Sequence, residues 1–351
     1  MDSALWHDQA TITPEEPPPP EPTASLARMN QAARTAYAAH LRRVWRGQPI
    51  TSPVHDRVAT QMTQALESAL LEPPGARTVV SLSAPYSSGK STLVKQWAQG
   101  LYRSWTTPSG AAGRPRWDPA PGITADLVPV CYLTLLSESK SKDLYSQILA
   151  FAGYPVTGVE RALALRAVTA LRNHGVRLVI LDDAHMLRTS SVTGRATLNA
   201  VKHLNTELGE LGGVLMLVGA DLTGGEALND PQIRGRLSEH TFAPYEIGSV
   251  HGRELWQRFL LACEHRLLPY LPGSGPGLLT TRHAAYLWTR TQGFVGDTTR
   301  LLIDGVTTAI SSGVPFDREL LDQIPVSQRA NDEHRNHRRR TTQRTPDRSA
   351  V

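Results

Sequence analysis

The chain has 351 residues, 40% of them apolar, a length that supports one large core or two modest ones and argues for two or three structural units. Its two cysteines, Cys131 and Cys263, lie far apart with no C-x-x-C partner, so neither a disulfide framework nor a zinc site is expected. No apolar run approaches the roughly 20 residues of a bilayer span and Met1-Asp2-Ser3 opens no signal peptide, so a cytoplasmic protein with no membrane contact is expected.

The formal charge of +5 is unevenly laid out. Residues 1–24 carry Asp2, Asp8, Glu15, Glu16 and Glu21 with no Lys or Arg. Residues 329–351 carry Arg329, Arg335, Arg338, Arg339, Arg340, Arg344 and Arg348 against Asp332, Glu333 and Asp347. A basic tail behind a basic middle fits a polyanionic partner.

In chain order, the acidic opening with Pro17 to Pro20 has no means of packing a core, and residues 1–28 are expected to be disordered. Residues 29–72 read as a helical region. Ala33, Tyr37, Leu41 and Val44 recur at three or four residues, as do Val58, Met62, Leu66 and Leu70. Pro73-Pro74-Gly75 ends it. An alternating core follows over 73–248, with apolar strands at 78–82, 127–136, 177–181 and 214–218, and helices between them. Strands that are apolar throughout and separated by helices imply a parallel sheet buried on both faces, hence an α/β fold. The Pro- and Gly-rich stretch 106–125 reads as a surface insertion, and a short strand near Phe242 ends the sheet. Residues 249–325 show only helical spacing, through Leu255, Phe259 and Cys263 and then Leu301, Leu302, Val306 and Ile310, which predicts a helical subdomain. Residues 326–351 are expected to be a disordered Arg-rich tail.

The segment Ala84-Pro85-Tyr86-Ser87-Ser88-Gly89-Lys90-Ser91-Thr92 follows the first strand and opens a helix. A loop of this type holds nucleotide phosphates with inward backbone N–H groups, a lysine for the outer phosphates and a hydroxyl for Mg²⁺, here Lys90 and Ser91. It departs from G-x-x-x-x-G-K-[ST] at Ala84, where the first glycine is usual. About 90 residues later Leu178-Val-Ile-Leu-Asp-Asp183 ends a strand in two carboxylates. Asp182 is the expected Mg²⁺ residue, and Asp183 stands where a water-orienting glutamate is usual, one methylene shorter. ATP and Mg²⁺ are the expected cofactors, with slow hydrolysis. His185 is the one histidine near this chemistry.

The segments 84–92, 128–133, 178–185 and 215–219 together resemble the AAA+ ATPases of the TniB/TnsC group, relatives of MuB that regulate DNA transposases. The resemblance spans roughly residues 35 to 313 and implies a P-loop core with a helical lid. It implies a homo-oligomeric ring or filament in which an arginine of one subunit completes the neighbour's site, with Arg236 as that finger and Arg234 as the other candidate. It places a lid arginine at Arg300, in Gly296-Asp-Thr-Thr-Arg300. Where a polar sensor is usual after the fourth strand, Gly219-Ala220 stand instead, followed by Asp221. It further implies contact with the backbone of double-stranded DNA. Ser137, Ser139, Lys140 and Lys142 form a hydroxyl and lysine cluster suited to phosphates, without the interleaved aromatics of single-strand binders.

The expected function is therefore an ATP-dependent DNA-binding regulator that oligomerises on duplex DNA and recruits a transposase, alongside a target-selection protein. ATP acts mainly as an assembly switch. A STAND-like switch acting on a protein partner without DNA is the alternative from a different class, and a non-hydrolysing scaffold a third.

Overall fold

The computed structural model describes residues 1–50, 52–106, 113–136, 139–187, 192–222, 230–271, 273–332 and 334–335. In chain order these residues form helices α1 (Ser3–Thr11), α2 (Thr23–Arg28), α3 (Gln31–Gly47) and α4 (Pro53–Leu70), then strand β1 (Val79–Ser83) and helix α5 (Lys90–Trp105). Strands β2 (Arg116–Ala120), β3 (Ile123–Asp126) and β4 (Val130–Thr134) lead to α6 (Ser141–Phe151), α7 (Glu160–Asn173) and β5 (Leu178–Asp182). Then come α8 (Val192–Glu210), β6 (Val214–Gly219), α9 (Pro231–Arg234) and β7 (Leu237–Thr241). Helices α10 (Val250–Leu267), α11 (Ala284–Thr291), α12 (Val295–Ser312) and α13 (Arg318–Gln323) finish the fold.

These elements divide into two compact units. The first comprises 1–12, 57–86 and 90–242, the second 13–56, 87–89 and 243–351.

The first unit is built on a five-stranded sheet in the order β4-β5-β6-β1-β7, every neighbouring pair parallel. Every residue of β1, β5 and β6 is buried, as expected of strands covered on both faces. Helix α5 packs on β4 and β6, α6 on β4, and α8 on β6. In parallel strands all C-terminal ends meet at one edge of the sheet. Ser83 and Asp182, the last residues of β1 and β5, lie on that edge with β6 between them.

Two stretches differ from the sequence expectation. Over 116–126, β2 and β3 form an antiparallel hairpin, its Trp117 indole donating to the Asn173 carbonyl at 2.9 Å. A Cβ at Gly175 would lie 3.0 Å from both Trp117 and Leu127, so that turn takes only glycine, at φ +61°. Within 1–28, α1 forms because Asp2 caps it, accepting from the Leu5 N–H at 2.8 Å, and because Trp6 and Ala10 bury completely. One large aromatic supplies an anchor that low average hydropathy conceals.

The second unit is helical. Helix α3 packs along α12, burying Ala38, Leu41, Val44 and Trp45 on one side and Leu301, Leu302, Val306 and Ile310 on the other. So α3 joins the C-terminal helices, while most of α4 belongs to the first unit. Glu264 is 3% exposed and accepts from the N–H groups of Gly277 and Leu279, both at 2.7 Å. Burial alone would raise its pKa, but these donors and Thr280 hold it below the usual carboxylate value. At the start of the Arg-rich tail, Arg329 bonds Asp297 and stacks over Phe294. Residues 336–351, with the remaining tail arginines, lie outside the described residues. Cys131 and Cys263 are both free and buried.

Candidate functional site

The phosphate loop begins where β1 ends. Ser83 Oγ accepts from the Leu222 N–H at 2.9 Å, and the Ala84 N–H donates to the Gly219 carbonyl at 3.3 Å, tying the loop's start to the end of β6. Ala84 is 2% exposed and is not among the residues with positive φ; the loop's left-handed positions are Ser87 (φ 62°) and Gly89 (φ 90°). The backbone thus needs glycine's freedom at Gly89 and not at Ala84. Pro85 and Tyr86 follow, Tyr86 being 58% exposed.

Lys90 opens α5, so the free N–H groups of that helix's first turn face the loop's end together with Ser91 and Thr92. Lys90 is only 7% exposed, yet among the described residues no carboxylate lies within ion-pair distance of it. Its ammonium lies 5.9 Å from the centroid of the Tyr86 ring. A buried cation without an anion is unfavourable, and the arrangement is suited to one that arrives as a ligand.

Within the second unit, His55 from the first turn of α4 places Nε2 3.2 Å from the Ser88 carbonyl oxygen. Burial lowers the His55 pKa, and the Ser88 carbonyl partly offsets it. Gly296, at the start of α12, has room for no side chain: a Cβ there would lie 2.9 Å from the Ser87 carbonyl oxygen.

Asp182 is 3% exposed and both of its oxygens are engaged. Oδ1 accepts from the Asp183 N–H at 2.9 Å, and Oδ2 accepts from the Tyr132 hydroxyl of β4. Burial, then the charge of Asp182, pushes the Tyr132 pKa far up, so its hydroxyl stays a donor. Tyr132 escapes sequence reasoning because it sits inside an apolar strand. Asp183 takes a left-handed conformation, φ 58°, with its side chain 40% exposed and 3.9 Å from His185 Nδ1. The His185 ring meets the Tyr86 ring edge-on at 5.4 Å, and its Nδ1 accepts from the Ala220 N–H at 3.5 Å. A Cβ at Gly219 would lie 2.9 Å from the His185 backbone nitrogen, so this position admits only glycine. Asp221, also left-handed at φ 47°, is exposed.

The remaining expected residues lie further out. Arg234 and Arg236 are both exposed, and the Arg236 carbonyl accepts from Val79 N–H at 2.8 Å. Val79 begins β1 while Ser83 ends it, so four strand steps, roughly 13 Å, separate Arg236 from the loop's edge of the sheet. Arg300 is 60% exposed and its Nε lies 4.0 Å from Asp304, a carboxylate that also takes Arg46 at 2.8 and 2.9 Å. Ser139 Oγ bonds Leu136, and the Lys140 N–H donates to Asp143 at 2.8 Å to start α6. Lys140 and Lys142 are exposed beyond the C-terminal end of β4. Ser137 lies outside the described residues.

Lys90, Ser91 and Asp182 suit Mg²⁺ with a nucleotide: an ammonium and helix N–H groups for phosphates, and one hydroxyl and one carboxylate for a metal that Mg²⁺ sites commonly share with phosphate and water. Among the described residues no three His, Cys, Asp or Glu gather at one point as a self-contained metal site. No described helix is long and apolar enough to cross a membrane.

A parallel sheet in this strand order, a phosphate loop after β1 and a carboxylate at the end of β5 define a P-loop fold of the AAA+ class. The same fold occurs in the Aeropyrum pernix ORC2 protein, with a TM-score of 0.51 at 14% identity, over 76% of this chain and 65% of that one. This chain thus matches a little under two thirds of that protein's length. CDC6P from Pyrobaculum aerophilum matches at 19% identity and a TM-score of 0.48, over 76% of this chain and 64% of that one. No curated protein matches. The model of the bacterial TniB protein family matches residues 53–247, and the chain belongs to that family.

Proposed function

We propose that the chain is an ATP-dependent, DNA-binding regulator of transposition that assembles on duplex DNA in the ATP state and recruits a transposase. The observation that carries the nucleotide part is Lys90, buried at the start of α5 with no carboxylate partner among the described residues. The ORC2 protein sharing its fold is described in ADPNP and ADP complexes, which supports the same ligand class here.

In this reading Lys90 faces the outer phosphates, Ser91 and Asp182 hold Mg²⁺, and the N–H groups from Gly89 onward line the phosphate path. Bound Mg²⁺ supplies charge neutralisation at the transferring phosphoryl group. Asp183 orients water less well than a glutamate, because its shorter side chain stands on a left-handed backbone and faces solvent. Hydrolysis is then slow, and ATP serves assembly.

Arg236 lies too far from its own loop to act there and is assigned to a neighbouring subunit's site, so function requires a ring or filament. Arg300 is assigned to the lid, released from Asp304. Ser139, Lys140 and Lys142 contact DNA phosphates, with Arg residues of the tail adding charge. Free buried cysteines agree with a reducing cytoplasm.

The test is anisotropy of a fluorescent mixed-sequence duplex with ATP, a non-hydrolysable analogue, ADP or no nucleotide, across a salt series. Cooperative, salt-sensitive binding only with the triphosphates is the expected result. Binding indifferent to nucleotide assigns DNA contact to the basic tail alone, and absence of binding turns the reading towards a switch acting on a protein partner.

A further inference from the structure

Asp182, the carboxylate assigned to Mg²⁺, is bonded by Tyr132, and the first helix of the chain packs against that tyrosine. Asp182 rotates about a broad, weakly defined terminal torsion, so its direction depends on the groups that bond it. One is the Asp183 N–H, supplied by the adjoining backbone. The other is the Tyr132 hydroxyl, reaching across from β4, the last strand of the sheet.

Tyr132 is itself fixed on its ring. Trp6, fully buried on α1, stacks on it with centroids 5.5 Å apart and planes 15° from parallel. Lys95 of α5 lies 5.4 Å from the same ring centroid. Helix α1 is fastened to α5 in turn: His7 Nδ1 bonds Tyr102 Oη at 2.9 Å, and Arg103 donates to the Ala10 carbonyl at 2.7 Å. All of these residues belong to the first unit.

We propose that Tyr132 is the positioning residue for Asp182 and that α1 is its brace, Trp6 stacking behind the phenol so that residues 1–12 set how tightly the site takes Mg²⁺. The inference rests on the nucleotide reading of the phosphate loop. Its physical content is that a groups-behind-the-ligand contact fixes a metal carboxylate's orientation, and losing one commonly weakens metal affinity by about 10- to 100-fold. Without the Tyr132 hydroxyl, Oδ2 of a buried carboxylate loses its donor. Without the Trp6 ring, the phenol has space to tilt away from Asp182.

The experiment measures affinity of the full chain for a fluorescent ATP analogue across a free Mg²⁺ series and in EDTA, with thermal unfolding of the nucleotide-free protein alongside. Tyr132→Phe is expected to raise the Mg²⁺ half-point about 10-fold while leaving the affinity in EDTA unchanged. Trp6→Ala should move it in the same direction, and Trp6→Phe, which keeps a stacking ring, should restore the wild-type value. Should Trp6→Ala fail to fold, Trp6→Leu replaces it, keeping apolar volume without the flat stack. An unchanged half-point in Tyr132→Phe overturns the role of Tyr132. Lowered thermal stability with a wild-type half-point in the Trp6 variants overturns the brace and leaves α1 as packing only. If the wild-type chain binds no nucleotide with or without Mg²⁺, the nucleotide reading itself fails, and this is seen before any variant is made.

Discussion

The imidazole of His55 closes on the phosphate loop, its Nε2 3.2 Å from the Ser88 carbonyl and its Cε1 3.0 Å from where a side chain at Gly89 would begin. Gly89 is therefore constrained twice, by φ of 90° and by this neighbour. Gly89→Ala is expected to cost about 1–3 kcal/mol of strain and to abolish nucleotide binding, measured by thermal unfolding and by titration of a fluorescent ATP analogue.

The same histidine predicts a pH dependence. Burial lowers the pKa of His55, and also of His240 and His283, below the ordinary value of 6.5. The unfolded chain then takes up protons near pH 6.5 that the folded chain resists, so stability rises with pH through this window and is lost as pH falls below 6.5. Melting curves between pH 7.5 and 5.5 should show a falling midpoint, and His55→Gln should flatten part of the fall, at roughly 2–4 °C for each kcal/mol.

Replacing Lys90 with Ala removes the buried ammonium without adding any clash. Loss of its charged hydrogen bonds, about 1.5–3 kcal/mol, corresponds to a weakening of ATP-analogue affinity by roughly 10- to 150-fold. Assembly in ATP, followed by light scattering, should be lost with it; assembly that persists would sink the switch reading.

Arg236→Ala should leave the affinity of monomers for nucleotide intact and lower turnover in the assembled state by about 10³-fold or more, the scale of an arginine finger. Arg234→Ala, one residue beyond Gly235 and equally exposed, is the comparison. Turnover lost only in the Arg234 variant would exchange their roles.

Lys140 and Lys142 are separable from the nucleotide site because their side chains are exposed and form no ion pair among the described residues. Changing both to Ala should weaken duplex binding across sequences and reduce the slope of log affinity against log salt by about 2. An unaltered slope would place the phosphate contacts elsewhere.

The parts legible in the sequence were those whose physics is local. Val79 to Leu82 and Leu178 to Leu181 are strands buried on both faces, so apolarity alone marks them. Gly89-Lys90-Ser91 carries its chemistry in adjacent residues. What escaped depends on register and packing. Tyr132 reaches Asp182 across 50 residues, through a pairing that sets Thr134 opposite Asp182. His55 meets the loop from 33 residues upstream of Ser88. Helix α1 was hidden by an acidic, proline-rich neighbourhood, since the burial of Trp6 and Ala10 and the bonds from Tyr102 and Arg103 that hold it come from tertiary packing. The β2–β3 hairpin was masked by glycine and proline around a single anchoring tryptophan.

Both cysteines of the chain sit in the interior, Cys131 in β4 and Cys263 in α10, and burial pushes both thiols well above their ordinary pKa. Thiolate is the reactive form, so neither competes for a maleimide under native conditions. The natural sequence is thus already a silent background for site-specific labelling: a cysteine introduced at exposed Lys142 or Arg236 takes the fluorophore alone, and subunit proximity and DNA contact become readable by energy transfer without first stripping native thiols from the core.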